Sequence, residues 1–286
     1  MRNLLVLLML LSIFSAMSLP PVAMATERPW QQLPEPKPLP DPASSGYAWI
    51  NGIQLYFETF GQGEPVLLLH GALGNANYWG NQVPALAKKY RVIVIDARGH
   101  GRSTRDGKLF SYRLLAADVI ALLDLLKIDK VSIIGWSDGG NTALQLAIQH
   151  PERLRRLFIF SANYKPSGYR LDVDQNDNFV RYIDLARRDY QRLSGKPHGY
   201  EIFLQLLSLF WGSEPNFSPE QLNRISLPIV IAAGDHDEAI RREHTEALAR
   251  MIPSARLLIL PDVSFFAMWQ NPQLFNQTLL LFLAGK

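Results

Sequence analysis

The sequence predicts an α/β fold: a mostly parallel sheet with helices on both faces and a helical cap inserted between two strands. Three observations predict it. Short apolar runs at residues 66–69, 92–95, 131–134 (interrupted by Ser132), 157–160 and 229–233 read as strands buried on both faces, as parallel strands are. Between them lie segments of helical period, most clearly 112–126, where Leu115, Val119, Leu122, Leu123 and Leu126 recur on one face. Residues 163–224 then break the alternation: they are polar, aromatic-rich and helical in period, and the strand pattern resumes after them.

Composition narrows the function classes. At 286 residues the chain can bury a sizeable core. A net charge of +3, spread without a basic block, gives no argument for a nucleic-acid partner. With no cysteine, a disulfide framework, a thiolate metal site and a Cys nucleophile are excluded. Asp172, Asp174 and Asp177 lack the glycine and distal glutamate of a calcium loop, so no metal is expected. Gly99 and Gly101 follow a strand without the third glycine of a dinucleotide fingerprint, so no cofactor is expected either.

Taken in order, residues 1–25 read as a signal peptide. Arg2 gives a positive start, 4–19 an apolar stretch, and Ala23-Met24-Ala25 a small-x-small cleavage site. Cleavage after Ala25 would leave an exported, periplasmic or secreted protein with no stable membrane insertion. Residues 26–45 are Pro-rich, poor in backbone donors, and read as an extended surface segment. Residues 47–50 and 53–60 flank Asn51-Gly52, the pair that favours a type I′ hairpin turn. The core is expected over 46–162 and 225–286, with the cap at 163–224. Helices are expected at 81–90, 112–126, 141–150, 241–251 and 276–283, and the last strand at 256–260.

The stretch that carries chemistry is Gly135-Trp136-Ser137-Asp138-Gly139-Gly140. It lies between an apolar strand and a helical segment, the context in which G-x-S-x-G exposes a serine hydroxyl on a sharp turn. His70-Gly71-Ala72 follows the strand at 66–69, Asp96 to Ser103 reads D-x-R-G-x-G-x-S, and Gly234-Asp235-His236-Asp237 follows the strand at 229–233. Together these segments resemble the α/β-hydrolase family from about Tyr47 onward. The form of the Ser137 turn is similar to that of valacyclovir-hydrolase-like and biphenyl-hydrolase-like serine esterases.

That resemblance implies an α/β-hydrolase fold and a serine hydrolase that cleaves a small ester or amide through an acyl-Ser137 intermediate. It makes Ser137 the nucleophile, Asp237 the acid, and the backbone N–H groups of Ala72 and Asp138 the oxyanion hole. Asp138 would face a substrate amino group, with Trp136, Phe210 and Trp211 as further substrate contacts. The base is the departure. The family's histidine position, in Pro261 to Phe266, holds Phe265, which has no nitrogen to take a proton. His236, beside the acid, and His198, in the cap, are the alternative bases. Losing the base of a Ser-His-Asp triad costs on the order of 10⁶ in kcat. The expectation is a hydrolase scaffold with weak or absent turnover; the alternative is a non-catalytic small-molecule-binding protein on the same fold.

Overall fold

The computed structural model describes residues 28–286; the signal peptide and cleavage site read at 1–25 lie outside the described residues. Eight strands form one sheet in the order β1-β2-β4-β3-β5-β6-β7-β8. The hairpin pairs β1 (Ser44–Ile50) with β2 (Ile53–Phe60), and its turn has Asn51 at φ 45° and Gly52 at φ 80°, both positive as a type I′ turn requires. β1 starts at Ser44, slightly before the expected core boundary. β2 is antiparallel to β4 (Tyr90–Ile95), which is parallel to β3 (Glu64–Leu69). The rest of the sheet is parallel: β5 (Val131–Trp136), β6 (Leu154–Phe160), β7 (Ile229–Gly234) and β8 (Ala255–Leu260).

Alternation along these strands sorts the helices. Leu67, Leu69, Ile93, Ile133 and Ile159 face a core shared with α2 (Tyr112–Leu125), α3 (Asp138–Gln149) and α7 (Arg242–Met251). Val66, Leu68, Val94, Ile134 and Phe158 face the other core, with α1 (Val83–Leu86), α8 (Ala267–Gln270) and α9 (Pro272–Leu283). A strand between two apolar layers needs apolar side chains at every position, so these strands read as unbroken runs. The cap supplies α4 (Asp177–Leu193), α5 (Tyr200–Ser213) and α6 (Pro219–Asn223). One expectation fails: the helix at 81–90 is only the single turn α1, because Pro84 bars a hydrogen bond and Gly80 packs against the backbone of Lys37.

The chain leaves β3 for β4 on one side and then crosses to β5 on the other. The loops after β3 and β5 therefore diverge, opening a crevice at the carboxyl ends of two adjacent strands. His70 starts one loop and Ser137 the other. Their approach is close enough that a Cβ on Gly139 would lie 2.1 Å from the Leu69 carbonyl oxygen. Gly139→Ala is expected to destabilise the fold by about 3 kcal/mol, since backbone rather than a mobile side chain must move. A thermal melt checks this; an unchanged Tm would show that β3 and α3 can separate without cost.

Candidate active site

Ser137 sits at the junction of β5 and α3 with φ 53° and ψ −117°, a conformation that side chains other than glycine rarely adopt. Two backbone bonds hold it there: its N–H donates to the Phe160 carbonyl at 2.9 Å, and its carbonyl accepts from Asn141 N–H at 2.9 Å. The loop after β3 lies against it, since a Cβ on Gly71 would come within 3.2 Å of Ser137 Cβ. The Asp138 N–H belongs to the first turn of α3, whose amides have no acceptor within the helix. Ser137 and Ala72 line one cavity of about 70 Å³, with Tyr169, Phe179, Tyr182, Trp211 and Phe265 among its walls. Tyr182 ties the cap to the loop by donating its hydroxyl to the Ala72 carbonyl.

Phe265 thus stands at the serine's cavity. It is buried, and its ring lies 5.1 Å from Trp136 and 5.1 Å from Phe266. No histidine, lysine or arginine lines this cavity among the described residues. His236 is exposed and stacks on Trp30 at 3.9 Å, and His198 is exposed in the cap. The structure brings neither to the cavity wall. His70 and His100 are buried, with His70 Nδ1 2.7 Å from the Gly71 oxygen, His70 Nε2 accepting from Ala97 N–H, and His100 Nδ1 3.0 Å from the Arg98 oxygen. His244 is also buried, stacked on Tyr164 at 3.9 Å. Burial keeps it neutral, with its pKa pushed down to about 4.

The carboxylates are engaged by neutral donors. Asp138 accepts from the Tyr112 hydroxyl at 2.7 Å and from Trp211 Nε1 at 2.9 Å. Asp237 accepts from the Ser161 hydroxyl at 2.6 Å and from the N–H groups of Ala239 and Ile240 at 2.9 and 2.8 Å. Glu238, which sequence reasoning missed, accepts from the Ser264 hydroxyl at 3.0 Å and from the Phe265 N–H at 2.9 Å. Burial raises all three pKa values: Asp138 and Asp237 to about 6, Glu238 to about 7, the last also through the charge of Asp237. Asp235, the other acid in that loop, is exposed and accepts from Val263 N–H.

Two expected substrate contacts lie elsewhere. Trp136 is packed in the core among Tyr182, Phe266 and Trp269, because the last strand residue before the turn points into the opposite layer. Phe210 lines a separate interior cavity of about 30 Å³, shared with His100 and with Asp138. Of the predicted contacts, Trp211 does reach the Ser137 cavity, and Asp138 reaches it through Trp211. Among the described residues no cluster of His, Cys, Asp or Glu could hold a metal ion, and no helix is long and apolar enough to cross a membrane.

A serine on a strained strand-to-helix turn, at the crevice of a largely parallel sheet and beneath a helical cap, defines a class: a hydrolase scaffold built on a nucleophile elbow. The chain belongs to the α/β-hydrolase fold family, whose model matches residues 64–210. It is similar to the human serine hydrolase BPHL, at 29% identity over 228 residues, covering 74% of this chain and 77% of that one. It is also similar to 3-oxoadipate enol-lactonase 2 of Acinetobacter baylyi, at 30% identity over 250 residues, covering 78% and 91%. Among solved structures, Est816, described as an N-acyl homoserine lactone degrading enzyme, matches with a TM-score of 0.67 at 28% identity, over 83% of this chain and 100% of that one.

The raised pKa of Asp237 has a consequence for stability. An unfolded aspartate titrates near pH 3.9. The folded group, lifted to about 6, binds its proton more tightly, so the stability from protonation is full below about pH 4, is still partly present at pH 5 and is lost as pH rises through 6. Asp237→Asn keeps one acceptor oxygen and removes the charge. The variant should gain in Tm relative to the unaltered protein at pH 8, by a few degrees more than at pH 5. Equal differences at both pH values would mean that the carboxylate is not desolvated.

Proposed function

We propose that the cavity over Ser137 is the binding site for a small ester, lactone or amide, and that acyl transfer to Ser137 is weak or absent because Phe265 stands where the base would act. The observation that carries this reading is the cavity wall itself. It presents a strained serine hydroxyl and the Ala72 loop to a carbonyl, and no imidazole to take the serine's proton. The relatives named a serine hydrolase, an enol-lactonase and a lactone-degrading enzyme support an acyl substrate. In this reading Ser137 Oγ attacks the carbonyl, and the N–H groups of Ala72 and Asp138 stabilise the oxyanion. The proton then has only water as an acceptor, since Asp237 is held by Ser161 and two backbone amides. That last point favours the second reading, a non-catalytic binding protein: the acid is fully engaged without a histidine.

A fluorophosphonate probe followed by intact mass separates the two, with Ser137→Ala as control. The expected result is slow or no labelling of the unaltered protein and labelling at least about 100-fold faster in Phe265→His, the gain a positioned general base supplies. Rapid labelling without the substitution would mean that another group activates Ser137. No labelling in either form would leave the binding-protein reading.

Export belongs to the same proposal and rests on the apolar N-terminal stretch with its small-x-small site. N-terminal sequencing of the protein from its native cells is expected to start at Thr26. A start at Met1 or Arg2 would overturn it.

A further inference from the structure

The cavity over Ser137 combines two features that point to one ligand chemistry. The first is its wall. Tyr169, Phe179, Tyr182, Trp211 and Phe265 all line it, and no basic side chain does. Its volume of about 70 Å³ is several times the roughly 10–15 Å³ that one water needs, so it has room for a compact organic group. The second feature is the charge behind the wall. Asp138 is bonded to Trp211, Glu238 accepts the Phe265 N–H, and Asp237 accepts the Ala239 N–H, so each carboxylate is one hydrogen bond from a wall residue. The charge of Asp138 also reaches Tyr169 and Tyr182, helping to raise their pKa values well above the usual tyrosine range.

These carboxylates are unusual for this chain. Its other buried acids have arginine partners: Asp118 lies 2.7 Å from Arg98, and Asp96 lies 2.7 Å from Arg102. Around the cavity the donors are hydroxyls, an indole and backbone amides. Arg170, whose charge reaches Asp237, is partly exposed and paired with Asp172 at 3.0 Å. Phe265, an uncharged ring in the cavity wall, adds no cationic partner. The result is a negative field with little compensation, from carboxylates whose oxygens each already accept a hydrogen bond from the protein.

A primary ammonium needs acceptors for its three N–H bonds, and none of these carboxylates is among the residues that line the cavity. A quaternary ammonium needs none. It is held by the faces of aromatic rings and by the surrounding field, and tryptophan is the best such ring. Donation of Trp211 Nε1 to Asp138 pushes electron density into that indole and strengthens the effect.

We propose that the cavity over Ser137 binds the trimethylammonium group of a choline- or betaine-type molecule, held by aromatic faces in a field of carboxylates whose oxygens are already engaged. This rests on the reading of that cavity as the ligand site and is common to its hydrolytic and binding versions. Isothermal titration calorimetry at pH 8, where the carboxylates are ionised, tests it with three compounds. These are choline, its uncharged isostere 3,3-dimethylbutanol, and ethanolamine, which carries a primary ammonium. Choline is expected to bind at least about tenfold more tightly than either of the others.

Equal binding of choline and 3,3-dimethylbutanol would overturn the proposal by showing an apolar cavity indifferent to charge. Tighter binding of ethanolamine would overturn it in favour of a hydrogen-bonded ammonium at Asp138. Binding by none of the three would overturn it outright. In Trp211→Leu, with folding verified by its melt, choline should lose at least tenfold while 3,3-dimethylbutanol stays within about threefold; equal losses would count against a cation site. Fluorophosphonate labelling of Ser137 does not depend on these ligands, so failure here leaves the hydrolase reading standing or falling on that separate experiment.

Discussion

The site depends on backbone approach at one turn. A Cβ on Gly135 would lie 2.5 Å from the Gly139 carbonyl oxygen, and one on Gly139 would lie 2.1 Å from that of Leu69. β5, α3 and β3 can meet this closely only because side chains are missing at those two positions. The meeting holds Ser137 at φ 53° and places the Gly71-Ala72 peptide beside it. A residue in this region of backbone space costs of order 1–3 kcal/mol, and the two backbone bonds of Ser137 to neighbouring elements offset that. What the sheet provides is therefore less a surface than a fixed distance between a hydroxyl and two loops.

Charge is handled differently at the site and away from it. In the D-x-R-G-x-G-x-S segment, Arg98 and Arg102 neutralise Asp118 and Asp96, and Arg102 also lies 3.6 Å from Glu58. These pairs join β2, β4 and α2 and set a guanidinium against each of these carboxylates. Around Ser137 the acids are satisfied in hydrogen bonding but not in charge. Hydrogen bonds to neutral donors lower the cost of burying a carboxylate without cancelling its field. The pKa values of about 6 for Asp138 and Asp237 and about 7 for Glu238 express the remaining cost. A raised pKa favours the neutral acid, so the field of these carboxylates is full only above the pH at which they titrate.

Much of the fold was legible because buried parallel strands and amphipathic helices leave period in the sequence. The apolar runs at 92–95 and 131–134 and the stripe through α2 are direct imprints of the two core layers. The turn at Ser137 was legible because glycines are required there by geometry. The division of the aromatics was not. Phe179, Tyr182 and Trp211 line the serine's cavity, whereas Phe203 packs on Tyr190 and Phe210 turns to an interior cavity; no local pattern tells these apart, because the cap's orientation on the sheet decides it. Glu238 was missed for a related reason. Next to Asp237 it reads as a second solvated loop carboxylate, and only the return of the 263–266 loop buries it.

The Pro-rich segment lies against His236 on the outside of the molecule. The ring of Trp30 stacks on His236 with an interplanar angle of 5°, and the Trp30 carbonyl accepts from Asn178 Nδ2 in α4. The Gln32 carbonyl accepts from Gln270 Nε2, and the same amide nitrogen also donates to Ser264 Oγ, next to Phe265. These contacts come from a single 3-10 turn, Pro29–Gln31, and the residue after it, not from the extended chain expected for 26–45, and they join the cap, the loop of Asp237 and the loop of Phe265 from outside. Proline suits the role, since a chain poor in its own N–H donors can cross the surface and spend its carbonyls on its neighbours. Stacked on Trp30, His236 stays on the exposed side of that loop, and Phe265 rather than a histidine is among the residues that line the cavity with Ser137.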